Sequence, residues 1–138
     1  MAKELIEADI QEGKIIDFID GKLRPDSDVE QTRQNFERTL VEEYRFHKSE
    51  IGVDVRIKVQ DGSRVVPRKL PLAVFREGSK VHDQDDIQIL IQIAKPAVQP
   101  TDTKNGANDI EKALIACTNA EFACWTNGVE TIYFQKKK

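Results

Sequence analysis

The sequence predicts an α/β chain of the α+β kind, with a mixed sheet flanked by helices in the order αβββαββ. Three observations predict it. Apolar residues recur at helical spacing from Val29 to Tyr44, with a period of two from Ile51 to Val59, and almost without interruption from Ile87 to Ala94. The length of 138 residues, with 39% hydrophobic and 33% charged, is that of one domain able to bury its own core.

Residues 1–24 carry small apolar groups, Leu5-Ile6, Ile15-Ile16 and Phe18-Ile19, separated by Gly13 and Gly21. They read as an ordered arm packed on the body, and residues 25–138 as a single domain. After Pro25, Ser27 and Glu30 have capping-box spacing, which starts the first helix. Val29, Phe36, Leu40, Val41 and Tyr44 form its apolar side; Glu30, Arg33, Glu37, Arg38 and Glu42 form the polar remainder. The alternation from Ile51 to Val59 marks a half-buried strand, and Asp61-Gly62 a tight hairpin. A second strand follows through Val65-Val66 and Leu70 to Phe75, where Pro67 and Pro71 imply an edge or a bulge. Arg76 to Asp86 reads as a loop, and Ile87 to Ala94 as a central strand covered on both faces. Asn108 is placed to cap a second helix carrying Ile110, Ala113, Leu114 and Cys117. Phe122 to Thr126 and Val129 to Phe134 flank an Asn127-Gly128 hairpin turn, and Lys136 to Lys138 form a frayed basic end.

Several function classes are excluded by composition. The net charge of −3 gives no bulk attraction to nucleic acid, so any contact with DNA requires a local patch. No apolar run is long enough to span a bilayer and the first residues lack a signal-peptide core, so a cytoplasmic location without membrane contact is expected. Cys117 and Cys124 are expected as free buried thiols, and with only His47 and His82 no spacing reads as zinc. The chain contains no glycine-rich phosphate loop, so no ATP use is expected of it.

Two segments carry a family resemblance. Gly21-Lys22-Leu23-Arg24-Pro25-Asp26, Glu30 and the run Arg33 to Tyr44 resemble the opening of the N-terminal domain of type I restriction R subunits. Cys117, Asn119-Ala120 and Trp125-Thr126-Asn127-Gly128 resemble its closing segment, so that the likeness covers about residues 15–134. The resemblance implies a restriction-endonuclease-like PD-(D/E)XK core. Its members place an Asp on the second strand and Glu-x-Lys on the third, and cleave DNA with Mg²⁺ held by hard oxygen ligands. Here the corresponding positions are Pro71, Gln92 and Ala94. Asp109 and Ala113 stand where relatives often carry a Gln and an aromatic residue. The scaffold is retained and the catalytic set is not.

No cofactor is therefore expected, and the implied role is that of an inactive nuclease domain serving as a nucleic-acid-associated or assembly module. Two alternatives stay open. One is an active Mg²⁺-dependent endonuclease with a site relocated to Glu37, Glu50, Asp54 or Asp109; the other is a purely structural domain that binds a protein partner. Lys95 is one residue from the lysine position, where strand alternation turns its side chain away. Asp83, Asp85 and Asp86 lack the spacing and glycine of a calcium loop. Arg64, Arg68, Lys69, Arg76 and Lys80 cluster around the second strand as candidates for a ridge contacting nucleic-acid phosphates.

Overall fold

The computed structural model describes residues 13–78 and 82–136. Leu5-Ile6, Lys80, Lys137 and Lys138 lie outside the described residues. Strands β1 (Lys14–Ile16) and β2 (Leu23–Pro25) form a small antiparallel hairpin. Helix α1 (Asp28–Glu42) follows, then β3 (Ile51–Asp61), β4 (Arg64–Phe75), β5 (Ile87–Ile93), helix α2 (Ile110–Ala116), β6 (Phe122–Thr126) and β7 (Thr131–Gln135). The last five strands make one mixed sheet in the order β3-β4-β5-β6-β7, in which only the β5–β6 pair is parallel. This mixed α+β fold is consistent with an α/β nuclease-like core, and β5 is the central strand. Among the described residues, no helix is long and apolar enough to cross a membrane.

Each helix covers its own face of the sheet. Leu40, Phe36 and Val29 of α1 pack with Leu72, Val74, Ile91 and Cys124. Ile110, Ala113 and Leu114 of α2 pack with Leu70, Phe75, Ile87 and Leu90. Burial of the two thiols pushes Cys117 up to about 11 and Cys124 up to about 12, so both stay protonated as small apolar residues.

The long strand does not keep one face. Ile51 and Val53 pack on the α1 side, whereas Val55, Ile57 and Val59 pack on the α2 side. The reversal falls at Asp54, whose φ of 54° is left-handed, opposite Pro71 in the ladder. Proline has no N–H to offer β3, and an Asp tolerates positive φ better than most residues, so the irregularity occurs on both strands at once. β4 nevertheless runs unbroken through both prolines. Its first half reaches past β5 as a two-stranded ribbon with β3, which leaves Pro67 on a free edge.

Ser27 caps α1, its Oγ accepting from the Glu30 backbone N–H at 3.0 Å. Ser27→Ala is expected to lower stability by about 1 kcal/mol, measured as a shift in urea midpoint. The Glu30 side chain does not complete the box, because it turns to Arg33 and Gln34 instead. Asn108 is not the α2 cap either: it lies inside a short 3-10 turn, Ala107–Asp109, that leads into the helix. The connection between β6 and β7 spans residues 127–130 rather than two residues. Asn127 Oδ1 accepts from the N–H groups of Val129 and Glu130, and Gly128 has the positive φ of 87°.

Candidate functional site: an open cleft and a buried ionic cluster

Gln92 projects from β5 into an open cleft of about 390 Å³ that also takes in Arg68, Lys69, Asn105, Asp109 and Lys112. Its carbonyl oxygen is already engaged, since Arg68 Nη2 donates to Gln92 Oε1 at 3.0 Å and Nη1 donates to the Asp109 backbone oxygen. Burial draws the Arg68 guanidinium down from its ordinary range, partly opposed by Asp109, yet it remains a cation. Asp61 at the cleft rim is paired with Lys112 at 3.0 Å. Ala94 is buried, with its N–H donated to the Thr126 carbonyl, and Pro71 sits at the β3–β4 irregularity. Lys95 is exposed outside this cleft, beside Ser27, Asp28 and Pro96.

Magnesium does not fit this donor set. A hard divalent ion needs several charged oxygens to replace its water, whereas Gln92 supplies a neutral amide bonded to a guanidinium and, of the two carboxylates lining the cleft, Asp61 is held by Lys112, which leaves Asp109. Among the described residues, no three His, Cys, Asp or Glu side chains converge as a metal site would require.

The densest group of ionisable side chains lies on the α1 side. Spacings of three and four bring Glu30, Arg33, Gln34 and Glu37 onto one helical face, where all four are buried. Glu30, Arg33 and Glu37 were expected among the polar remainder, and the β1–β2 hairpin and Asp54 cover them. Arg33 donates to Glu30 Oε2 at 2.5 Å and to Asp54 Oδ1 at 2.7 Å. Arg24 of β2 reaches Asp17, Asp20 and Asp54. Asp17, 1% exposed, accepts from the N–H groups of Ile19 and Asp20 and from Gln34. Burial alone would raise the Asp17 carboxyl, but these donors, with Glu37, outweigh it and hold the group below the usual carboxylate range.

Glu37 is different. It is fully buried, and its Oε1 accepts from the Ile19 N–H at 3.1 Å. Burial first, and then the neighbouring Asp17 charge, push its carboxyl up to about 9, with Arg33 only partly offsetting them. Oε2 meets no donor, which suits the hydroxyl oxygen of an acid that keeps its proton and offers it towards Asp17. Two guanidiniums already serve Asp17, Asp20, Glu30 and Asp54, and a further charge on Glu37 would have no cation of its own.

The remaining candidates are scattered. Glu50 folds back to accept from the His47 N–H at 3.0 Å, and Asp86 pairs with Arg76 at 2.6 Å. Glu37 and Asp54 belong to the ionic cluster, while Asp109 lies in the Arg68 cleft. Arg64 and Arg76 stand at opposite ends of β4, roughly 35–40 Å apart at strand rise. The structure does bring Lys69 opposite Arg56, and Lys58 opposite Pro67, on the exposed ribbon beside Arg68. Arg56 and Lys58 went unnoticed in sequence because only their alternation with apolar residues stood out. Asp17, Arg24 and Gln34 were missed too. The only available signal was the charged stripe at positions 30, 33 and 37, with Leu40 continuing it.

A family model for the type I restriction enzyme R protein N terminus matches residues 28–138. The chain belongs to this family. No curated protein and no solved structure matches it. The match begins at the first residue of α1, so Asp17 and Arg24 lie outside it while their partners Glu30, Arg33, Gln34, Glu37 and Asp54 lie inside. The R-protein N-terminal segment that carried the resemblance at the far end has structural work to do. Trp125 is fully buried and donates Nε1–H to the Asn105 carbonyl, and Asn127 donates to the Val98 carbonyl. A Cβ at Gly128 would come within 2.8 Å of Thr32 Oγ1 on α1. The closing segment thus holds helix and sheet together.

Proposed function

We propose that this R-protein N-terminal domain is a catalytically inactive nuclease scaffold that serves as a nucleic-acid-associated module. The observation that carries this reading is Arg68 on Gln92. At the position of the expected metal-binding carboxylate, a neutral amide accepts from a fixed guanidinium, whose charge repels a divalent cation. The other two expected groups, at Pro71 and Ala94, have no ligating or cationic atom. Three of the four carboxylates that would have to relocate are engaged elsewhere, Asp54 with two arginines, Glu50 with a backbone N–H and Glu37 as a neutral acid, and Asp109 alone is too little to hold a divalent ion.

The nucleic-acid part rests on the exposed cations Arg56, Lys58 and Lys69 of the β3–β4 ribbon. Cations on one exposed surface contact phosphates without reading sequence, and such binding weakens steeply with salt. Supercoiled plasmid incubated with Mg²⁺ and then Mn²⁺ is expected to stay uncut, and binding to duplex DNA at low salt is expected to drop at least about tenfold in Arg56→Glu/Lys69→Glu. Metal-dependent nicking abolished by Asp109→Ala or Glu50→Ala would replace this reading with a relocated active site. Binding indifferent to the double substitution would remove the assigned surface.

A further inference from the structure

The two edges of the five-stranded sheet are treated differently. On β3 the amide of Gln84 imitates a neighbouring strand: Lys58 N–H donates to Gln84 Oε1 at 2.8 Å and Gln84 Nε2 donates to the Lys58 carbonyl at 3.0 Å. The left-handed Asp54 further disrupts that edge. β7 has neither device, nor a proline, nor a bulge against β6. Lys136 N–H donates to the Glu121 carbonyl and Asn127 N–H to the Glu130 carbonyl, so the even-numbered residues of β7 bond to β6. By antiparallel alternation, Thr131, Tyr133 and Gln135 direct their N–H and C=O groups outward. Among the described residues, nothing is hydrogen-bonded to these outward groups. Beside them, Tyr133 is 67%, Tyr44 57% and Phe122 42% exposed around an apolar pocket of about 240 Å³.

We propose that β7 pairs antiparallel with β7 of a second copy of this chain, about a two-fold axis at Tyr133. The sequence Glu130-Thr131-Ile132-Tyr133-Phe134-Gln135-Lys136 is complementary to itself in that register. Tyr133 faces Tyr133 of the partner subunit, Thr131 faces Gln135 of the partner subunit, and Glu130 faces Lys136 of the partner subunit. The outward groups then form about six backbone hydrogen bonds, and both ends close on an opposite-charge pair. Lys136 Nζ already donates to the Cys117 and Thr118 carbonyls, which leaves one of its three donors for the glutamate. The exposed aromatic residues of the two copies become neighbours on one face, which extends the sheet in an isologous dimer.

Sedimentation equilibrium of the whole chain tests this, with mass expected to rise towards twice the monomer value across the micromolar range. Glu130→Lys places like charges opposite each other at both ends and is expected to weaken association roughly tenfold. Glu130→Lys/Lys136→Glu restores the pairing and is expected to restore the dimer. Tyr133→Pro removes an outward N–H without touching the β6–β7 ladder, and is expected to give a folded monomer. A chain that stays monomeric at every concentration would overturn the proposal, whether or not another protein's strand then covers the edge. So would a dimer indifferent to Tyr133→Pro, or a charge-swapped pair no better than Glu130→Lys alone.

Discussion

Arg33→Ala is expected to cost about 3 kcal/mol of folding stability, because it strands the buried carboxylate of Glu30 rather than merely removing a contact. Arg33 is 8% exposed and Glu30 6%, so water cannot take over the role of the guanidinium. Glu30 would keep Gln34 and a more distant Arg24 at 3.8 Å, and Asp54 would keep Arg24 alone. Such a loss is a large share of a total that for a domain runs to about 5–15 kcal/mol. Arg33→Met retains the apolar stem and is expected to lose nearly as much, which separates lost charge from lost packing. Urea unfolding of the two variants measures both. A cost under about 1 kcal/mol would be that of a surface ion pair, and the buried cluster would then be the wrong description.

Glu37 is expected to make stability fall as pH rises. Its carboxyl titrates near 4.5 when unfolded and at about 9 in the folded chain. Between those values the folded state holds a proton that the unfolded state has released, so the unfolding free energy decreases with pH, by up to about 1.4 kcal/mol per unit. The contribution is complete below pH 4.5 and gone above pH 9. Asp17 has the opposite sign: its lowered carboxyl adds stability above its unfolded value of 3.8, which is lost as pH falls through the folded value. The two limbs place the maximum in the mildly acidic range. Glu37→Gln keeps the shape of the neutral acid without its proton equilibrium and is expected to flatten the alkaline limb. Urea midpoints at pH 5, 7 and 9 for both proteins check this, and parallel profiles would mean that Glu37 ionises freely.

Where an element announces itself through local chemistry, the sequence was a sufficient guide. Ser27 before α1, Gly62 just after β3, and the nearly continuous apolar run of β5 act within a few residues. Each has one low-energy outcome. The proposed loss of the nuclease set rests on residue identity in the same way, since Pro71, Gln92 and Ala94, at the positions the family resemblance implies, supply no charged ligand whatever their surroundings. The charged face of α1 was misread for an equally physical reason. A helical period tells which residues share a side, not whether that side meets water or another part of the chain. Glu30, Arg33 and Glu37 looked like a solvated face because charges are seldom buried unless paired, and their partners Asp17, Arg24 and Asp54 are distant in sequence.

By itself, then, the sequence determined the mixed α+β class and the central place of β5, because both follow from residue identity and short-range periodicity. Tertiary structure alone decided that β3 turns over at Asp54, that Arg68 takes the oxygen of Gln92, that Glu37 keeps its proton, and that one sheet edge is clamped while the other is left open. Those outcomes depend on which groups distant in the chain meet out of water. There the cost of burying a charge is set by its neighbours in space.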